Sequence, residues 1–252
     1  MPNTPDAEHL FNRSEPVRSA PVPAPAPRPA ALSRDTLGNV LLAAFALAVL
    51  ADLVSLLAGA EAGHWIAKPL LMPLLAAYAA VRGGPRLLIA ALLLGWAGDV
   101  FLLLDAEWAF LAGMGFFATG HLCYLTLFGR RRPHRALGPL YAVLLVAVVA
   151  LMWPGLPAGL RVPVAGYAVL LAATAWRAGG LGPAAGAGGA LFLISDLLIA
   201  TELAEWPRPP APDFWIMFLY SAAQLLLTLG VLAAFRRFDR AEAAEGRHGR
   251  EE

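Results

Sequence analysis

Eight apolar runs, separated by short polar breaks, occupy most of the chain from residue 37 to residue 235. They lie at 37–57, 65–81, 86–104, 108–128, 137–153, 161–176, 184–203 and 214–235. A bilayer core takes about 20 residues of helix, and most of these runs approach that length. Lipid offers the backbone no hydrogen-bond partner, so a spanning segment must be a helix or part of a closed barrel. The alternation of a barrel strand is absent. The expected fold is therefore all-α, a polytopic membrane protein with a bundle of about eight transmembrane helices. The fifth and sixth runs are the least regular, because WPGLPAG separates them tightly and also suits a re-entrant turn.

Composition agrees. The chain is 59% apolar and 15% charged, with a mean hydropathy of +0.63. An ordinary soluble domain is about 45–50% apolar. The net charge of +1 and the lack of a basic run interleaved with aromatics argue against nucleic acid. The one cysteine, Cys123, has no intrachain partner and reads as apolar packing. Residues 1–36 form a Pro/Ala-rich tail that lacks the apolar surface to fold, so disorder is expected. Residues 37–235 form the membrane domain, and 236–252 a charged C-terminal tail.

Arginine placement sets the expected orientation. Arg13, Arg18, Arg28 and Arg34 precede the first run, Arg82 and Arg86 the third, and Arg130, Arg131, Arg132 and Arg135 the fifth. Arg177 precedes the seventh, and Arg236, Arg237 and Arg240 follow the eighth. The opposite loops are rich in Glu and Asp, with Arg161 and Arg208 as exceptions. Both termini are expected in the cytoplasm. The Ala, Gly, Pro and Arg bias suggests a bacterial inner membrane.

An ionisable side chain inside a span is costly and points to function. Asp99 and Asp196 lie about two-thirds along outward-going runs, and Asp52 late in another. Lys68, the only lysine, starts an inward-going run, and Tyr220 and Gln224 lie early in the last. At ~1.5 Å of rise per residue these groups share one layer of roughly 10 Å in the outer half of the membrane. His121 and Tyr124 sit deeper on a stripe with Gly113 and Phe117. Each has a plainer reading: an aspartate paired within the bundle, a lysine reaching to the interface, a core histidine, a packing tyrosine. Ser195 beside Asp196 invites a triad with His121, but a triad does not stand out. Of the five histidines only His121 falls inside a run, with His64 expected in a loop, so zinc is not expected. No other cofactor is called for.

Two carboxyl groups close together in a dry site do not ionise equally, which makes an acid and a base from one side-chain type. The pieces that carry this chemistry are Lys68-Pro69, Gly98-Asp99, the series Phe110, Gly113, Phe117, His121 and Tyr124, then Ser195-Asp196, and Tyr220 with Gln224. In these the chain resembles the YhhN-like lysoplasmalogenase family of polytopic membrane hydrolases, over essentially the whole membrane region. The resemblance implies hydrolysis of the vinyl-ether bond of lysoplasmalogens, giving a fatty aldehyde and a glycerophospho-ethanolamine or -choline. The chemistry of paired carboxyl groups then assigns Asp99 and Asp196 as the catalytic acid and base, in an order left open. His121, Tyr124, Ser195, Tyr220, Gln224 and Asp52 would support them, and Lys68 would meet the substrate phosphate. The partner is then a lysophospholipid that enters from the bilayer.

Two other classes compete. A proton-coupled transporter also uses buried Asp, Lys and His, and GDVFLLLDAEW and SDLLIATELAEW echo each other as a four-plus-four repeat would. Against it, the polar groups cluster in one layer and do not string across the membrane. A non-catalytic scaffold or lipid binder leaves three buried acids unexplained.

Overall fold

The computed structural model describes residues 33–248 except 130, 132 and 134, and no side chain at 239 or beyond 240. The expected N-terminal tail lies outside the described residues as far as Leu32. Eight α-helices follow in order: α1 Arg34–Leu57, α2 Glu61–Val81, α3 Arg86–Phe101, α4 Glu107–Phe128, α5 Leu137–Met152, α6 Arg161–Ala178, α7 Pro183–Leu203 and α8 Pro212–His248. A single 3-10 turn, Gly179–Leu181, joins α6 to α7, and there is no strand among the described residues.

The helices coincide with the eight apolar runs to within a few residues at most ends. Ser33 caps α1, its Oγ accepting from the Thr36 amide at 3.1 Å. Six helices are long and apolar enough to cross a membrane: α1, α2, α4, α6 with its 3-10 turn, α7, and α8 as far as Phe238. The other two, α3 and α5, have 16 residues each, a rise of about 24 Å. The last helix runs on to His248, so the charged segment after Phe235 continues it, with no proline before that residue. One expectation is corrected: His64 belongs to α2 and not to a loop, because that helix starts at Glu61 with an acid in its first turn, four residues before the apolar run.

Neighbours in sequence pack as hairpins: α1 with α2, α3 with α4, and α7 with α8. Helix α6 lies against α4 and α7, while α5 packs chiefly on α6. Small residues set the closest approach. A Cβ on Gly188 of α7 would stand 2.7 Å from the Leu227 amide nitrogen and 2.8 Å from the Ala223 carbonyl oxygen of α8. The outer faces are apolar, with Leu47 and Val146 each 67% exposed, as a lipid-facing surface requires.

Candidate active site

The end of the bundle where α2, α4, α6 and α8 begin and α3 and α7 finish encloses a cavity of about 80 Å³. Lys68, Asp99, Tyr167, Ser195, Asp196 and Tyr220 supply its polar lining, among apolar residues such as Phe117 and Val164. Five of the expected site residues, Lys68, Asp99, Ser195, Asp196 and Tyr220, thus line one cavity, on α2, α3, α7 and α8.

Each aspartate is held by a tyrosine. The Tyr220 hydroxyl of α8 donates to Asp99 Oδ2 at 2.8 Å. The Tyr167 hydroxyl of α6 donates to Asp196 Oδ2. Helices α3 and α7 do not pack closely, and the two carboxyl groups line the same cavity from these two helices. Gly98 is what lets α3 come this close to α4: a Cβ there would lie 2.6 Å from the Phe117 ring. The Lys68 ammonium interacts with the charge of Asp99 but makes no hydrogen bond or close ion pair among the described residues.

The remaining expected residues stand behind this lining. Tyr124 donates to Gln224 Oε1 at 2.7 Å, and Gln224 Nε2 reaches the Tyr220 hydroxyl at 3.5 Å. The series Tyr124–Gln224–Tyr220–Asp99 thus fixes the direction of the Asp99 carboxyl. His121 is 1% exposed, packs edge-on to Phe192 at 4.7 Å, and lies 3.4 Å from the Tyr167 hydroxyl through Nε2. It touches Asp196 only through that tyrosine. Ser195 donates to the Ile216 carbonyl at 3.0 Å, which commits its proton to the α7–α8 contact instead of to a nucleophile. Asp52 is 1% exposed and accepts from His64 Nδ1 at 2.7 Å, outside the cavity lining. No group of three or more metal-type side chains forms among the described residues.

Sequence reasoning missed Tyr167 and the His64–Asp52 pair. The one signal for Tyr167 was a lone phenol beside Gly166 in the apolar sixth run. Tyr167→Phe and Tyr220→Phe each remove a hydrogen bond to a carboxyl group, worth about 1.5–3 kcal/mol. Each is expected to lower kcat/KM for the reaction of this site by ~10–100-fold at unchanged folding, measured by steady-state kinetics beside a thermal melt.

Two further spaces adjoin the cavity. An apolar slot of about 100 Å³ runs between α5, α6 and α7 and shares Val164, Tyr167, Asp196 and Ala200 with it. A polar vestibule of about 420 Å³ lies between α1, α2 and α8 and shares Lys68, Leu102, Ile216 and Met217.

The YhhN family model matches residues 63–231. Lysoplasmalogenase TMEM86B of Homo sapiens is 38% identical over 157 residues, which cover 60% of this chain and 65% of that protein. Lysoplasmalogenase TMEM86A of Bos taurus is 33% identical over 146 residues, covering 54% and 60%. Lysoplasmalogenase TMEM86B of Rattus norvegicus is 34% identical over 174 residues, covering 66% and 70%. The chain thus spans just under two-thirds of the length of the first two relatives. No solved structure matches it significantly.

Proposed function

The chain belongs to the YhhN family, and from that membership and its two cavity-lining aspartates we propose that it hydrolyses the vinyl-ether bond of lysoplasmalogens within a membrane. The observation that carries the reading is the pair of tyrosine-held carboxyl groups lining one cavity. The apolar slot that opens beside Asp196 supports a lipid chain as part of the substrate. The names of the relatives support the bond that is cleaved.

The surroundings of the two aspartates suggest their roles. Asp196 borders the apolar slot with Tyr167 and acts as the acid. Asp99 shares its side of the cavity with the Lys68 ammonium and acts as the carboxylate. With the chain in the slot, the β-carbon of the vinyl ether lies toward Asp196. Asp196 gives that carbon its proton, and the C=C electron pair forms the new C–H bond. The resulting oxocarbenium ion is stabilised by the Asp99 carboxylate, which takes a proton from the water attacking the α-carbon. The hemiacetal then breaks its bond to the glycerol oxygen. Protonated Asp99 supplies the leaving alcohol, and Asp196 recovers its proton from the hemiacetal hydroxyl. Both groups return to their starting states with one water consumed.

The same reading places the cavity in the outer half of a bacterial inner membrane, with both termini cytoplasmic, as the arginine pattern suggests. The test is purified full-length protein in detergent, incubated with a 1-alkenyl-glycerophosphoethanolamine and assayed for fatty aldehyde. Aldehyde release at a rate proportional to protein is expected. A transporter needs a sealed vesicle, so absence of aldehyde in detergent overturns the proposal.

A further inference from the structure

The vestibule between α1, α2 and α8 holds three ionisable groups that the hydrolytic mechanism does not use, His64, Glu61 and Asp213, and one that it does, Lys68. Lys68 bounds both the vestibule and the reaction cavity, is 8% exposed, and has no hydrogen bond or close ion pair among the described residues. Asp99 compensates this ammonium from the cavity side without a close ion pair, so a second anion arriving from the vestibule is favoured. His64, one helical turn nearer the rim, also lines the vestibule. Its Nδ1 donates to Asp52 Oδ1 at 2.7 Å, which fixes the ring and leaves Nε2 for a ligand. Asp52 is 1% exposed, and its other oxygen has no partner among the described residues. At the rim stand two exposed carboxylates, Glu61 in the first turn of α2 and Asp213 in the first turn of α8, with the half-exposed Trp65 beside them.

The charges are therefore ordered. The Lys68 ammonium and the His64 imidazole lie at the inner end, the latter backed by Asp52, and the carboxylates at the outer end. Along α2, Glu61 is three residues from His64 and seven from Lys68, about 4.5 and 10.5 Å of helix. We infer that this vestibule is a head-group site separate from the reaction cavity, in which Lys68 and His64 take a phosphate while Glu61 and Asp213 take the cationic amine joined to it. The inference rests on the lysolipid reading above and assigns its polar end. Asp52 acts as a positioning residue for His64. The vestibule and the apolar slot meet the cavity through different residues. A lysolipid threaded through all three spaces has its vinyl ether between the aspartates.

The test compares three substrates in detergent: 1-alkenyl-glycerophosphoethanolamine, 1-alkenyl-glycerophosphate without the amine, and 1-alkenylglycerol without the phosphate. The double variant Glu61→Gln, Asp213→Asn is expected to raise KM roughly 10-fold for the first substrate, by loss of charge-assisted contacts, and to leave KM for the other two unchanged. His64→Gln and Asp52→Asn are expected to raise KM for both phosphate-bearing substrates and not for 1-alkenylglycerol, and Lys68→Met to raise KM for the phosphate-bearing substrates beyond any change it makes with 1-alkenylglycerol. Uniform changes across all three substrates, or none, overturn the inference. Binding of the non-hydrolysable 1-alkyl-glycerophosphoethanolamine, followed by tryptophan fluorescence, separates the two readings. Aldehyde release without the variant pattern defeats the head-group site alone. The variant pattern in binding without aldehyde from any substrate defeats the hydrolase reading alone.

Discussion

Asp99→Asn and Asp196→Asn are each expected to lower the rate of the proposed aldehyde release by about 10²–10⁴-fold, the usual cost of losing a positioned acid or base. An amide has nearly the shape of the carboxyl group and still accepts from the neighbouring tyrosine. Tyr220 therefore keeps a partner in the first variant, and Tyr167 in the second. What is lost is the proton that moves. The fall should appear in kcat with KM within a few-fold, because neither aspartate holds the head group or the chain. The double variant should be little worse than either single one, since both act in one sequence of proton transfers. Elution volume and melting temperature in the same detergent provide the folding control. Either single variant retaining a tenth of wild-type turnover removes that aspartate from the assignment.

Gly188→Leu has the largest expected effect on stability. The first side-chain atom already falls at 2.7 Å from one backbone atom of α8 and 2.8 Å from another, so the rest has nowhere to go. Backbone cannot rotate aside as a side chain does, and overpacking costs typically about 1–3 kcal/mol or more. A shift of α8 also pulls Ile216 from Ser195 and carries Tyr220 away from Asp99, so activity falls with stability. The expected result is a melting temperature lower by roughly 2–12 °C, or loss of the monodisperse species. Gly115→Ala is the matched control. Nothing lies within 4 Å of a Cβ at Gly115, so this change should be neutral or slightly stabilising. Equal melting temperatures for the two variants contradict the close α7–α8 contact.

Depth was legible before any tertiary structure. Rise per residue is constant in a helix, so Asp99, Asp196, Lys68 and Tyr220 are assigned one layer by counting from the run ends, and the cavity gathers all four. Asp52 shares that layer in the count yet lines neither the cavity nor the vestibule and is tied to His64. His64 reads as a loop residue because it precedes the apolar stretch of α2, in a Gly-His-Trp sequence. Tyr167 escaped notice because a phenol in an apolar helix has an apolar body, and its partner lies 29 residues on in another helix.

By itself, then, the sequence determined the helices, their order, and the level at which each polar group sits, because run length and rise per residue are local properties. Only the tertiary structure decided which polar groups face one another. Lipid and protein interior are both apolar, so a helix such as α3, apolar nearly all round, carries little information about which side turns inward. Rotation about each axis is settled by packing, through close contacts such as Gly98 on Phe117 and Gly188 on α8. Those contacts put Tyr220 on Asp99 and Tyr167 on Asp196, and set His121 behind Tyr167.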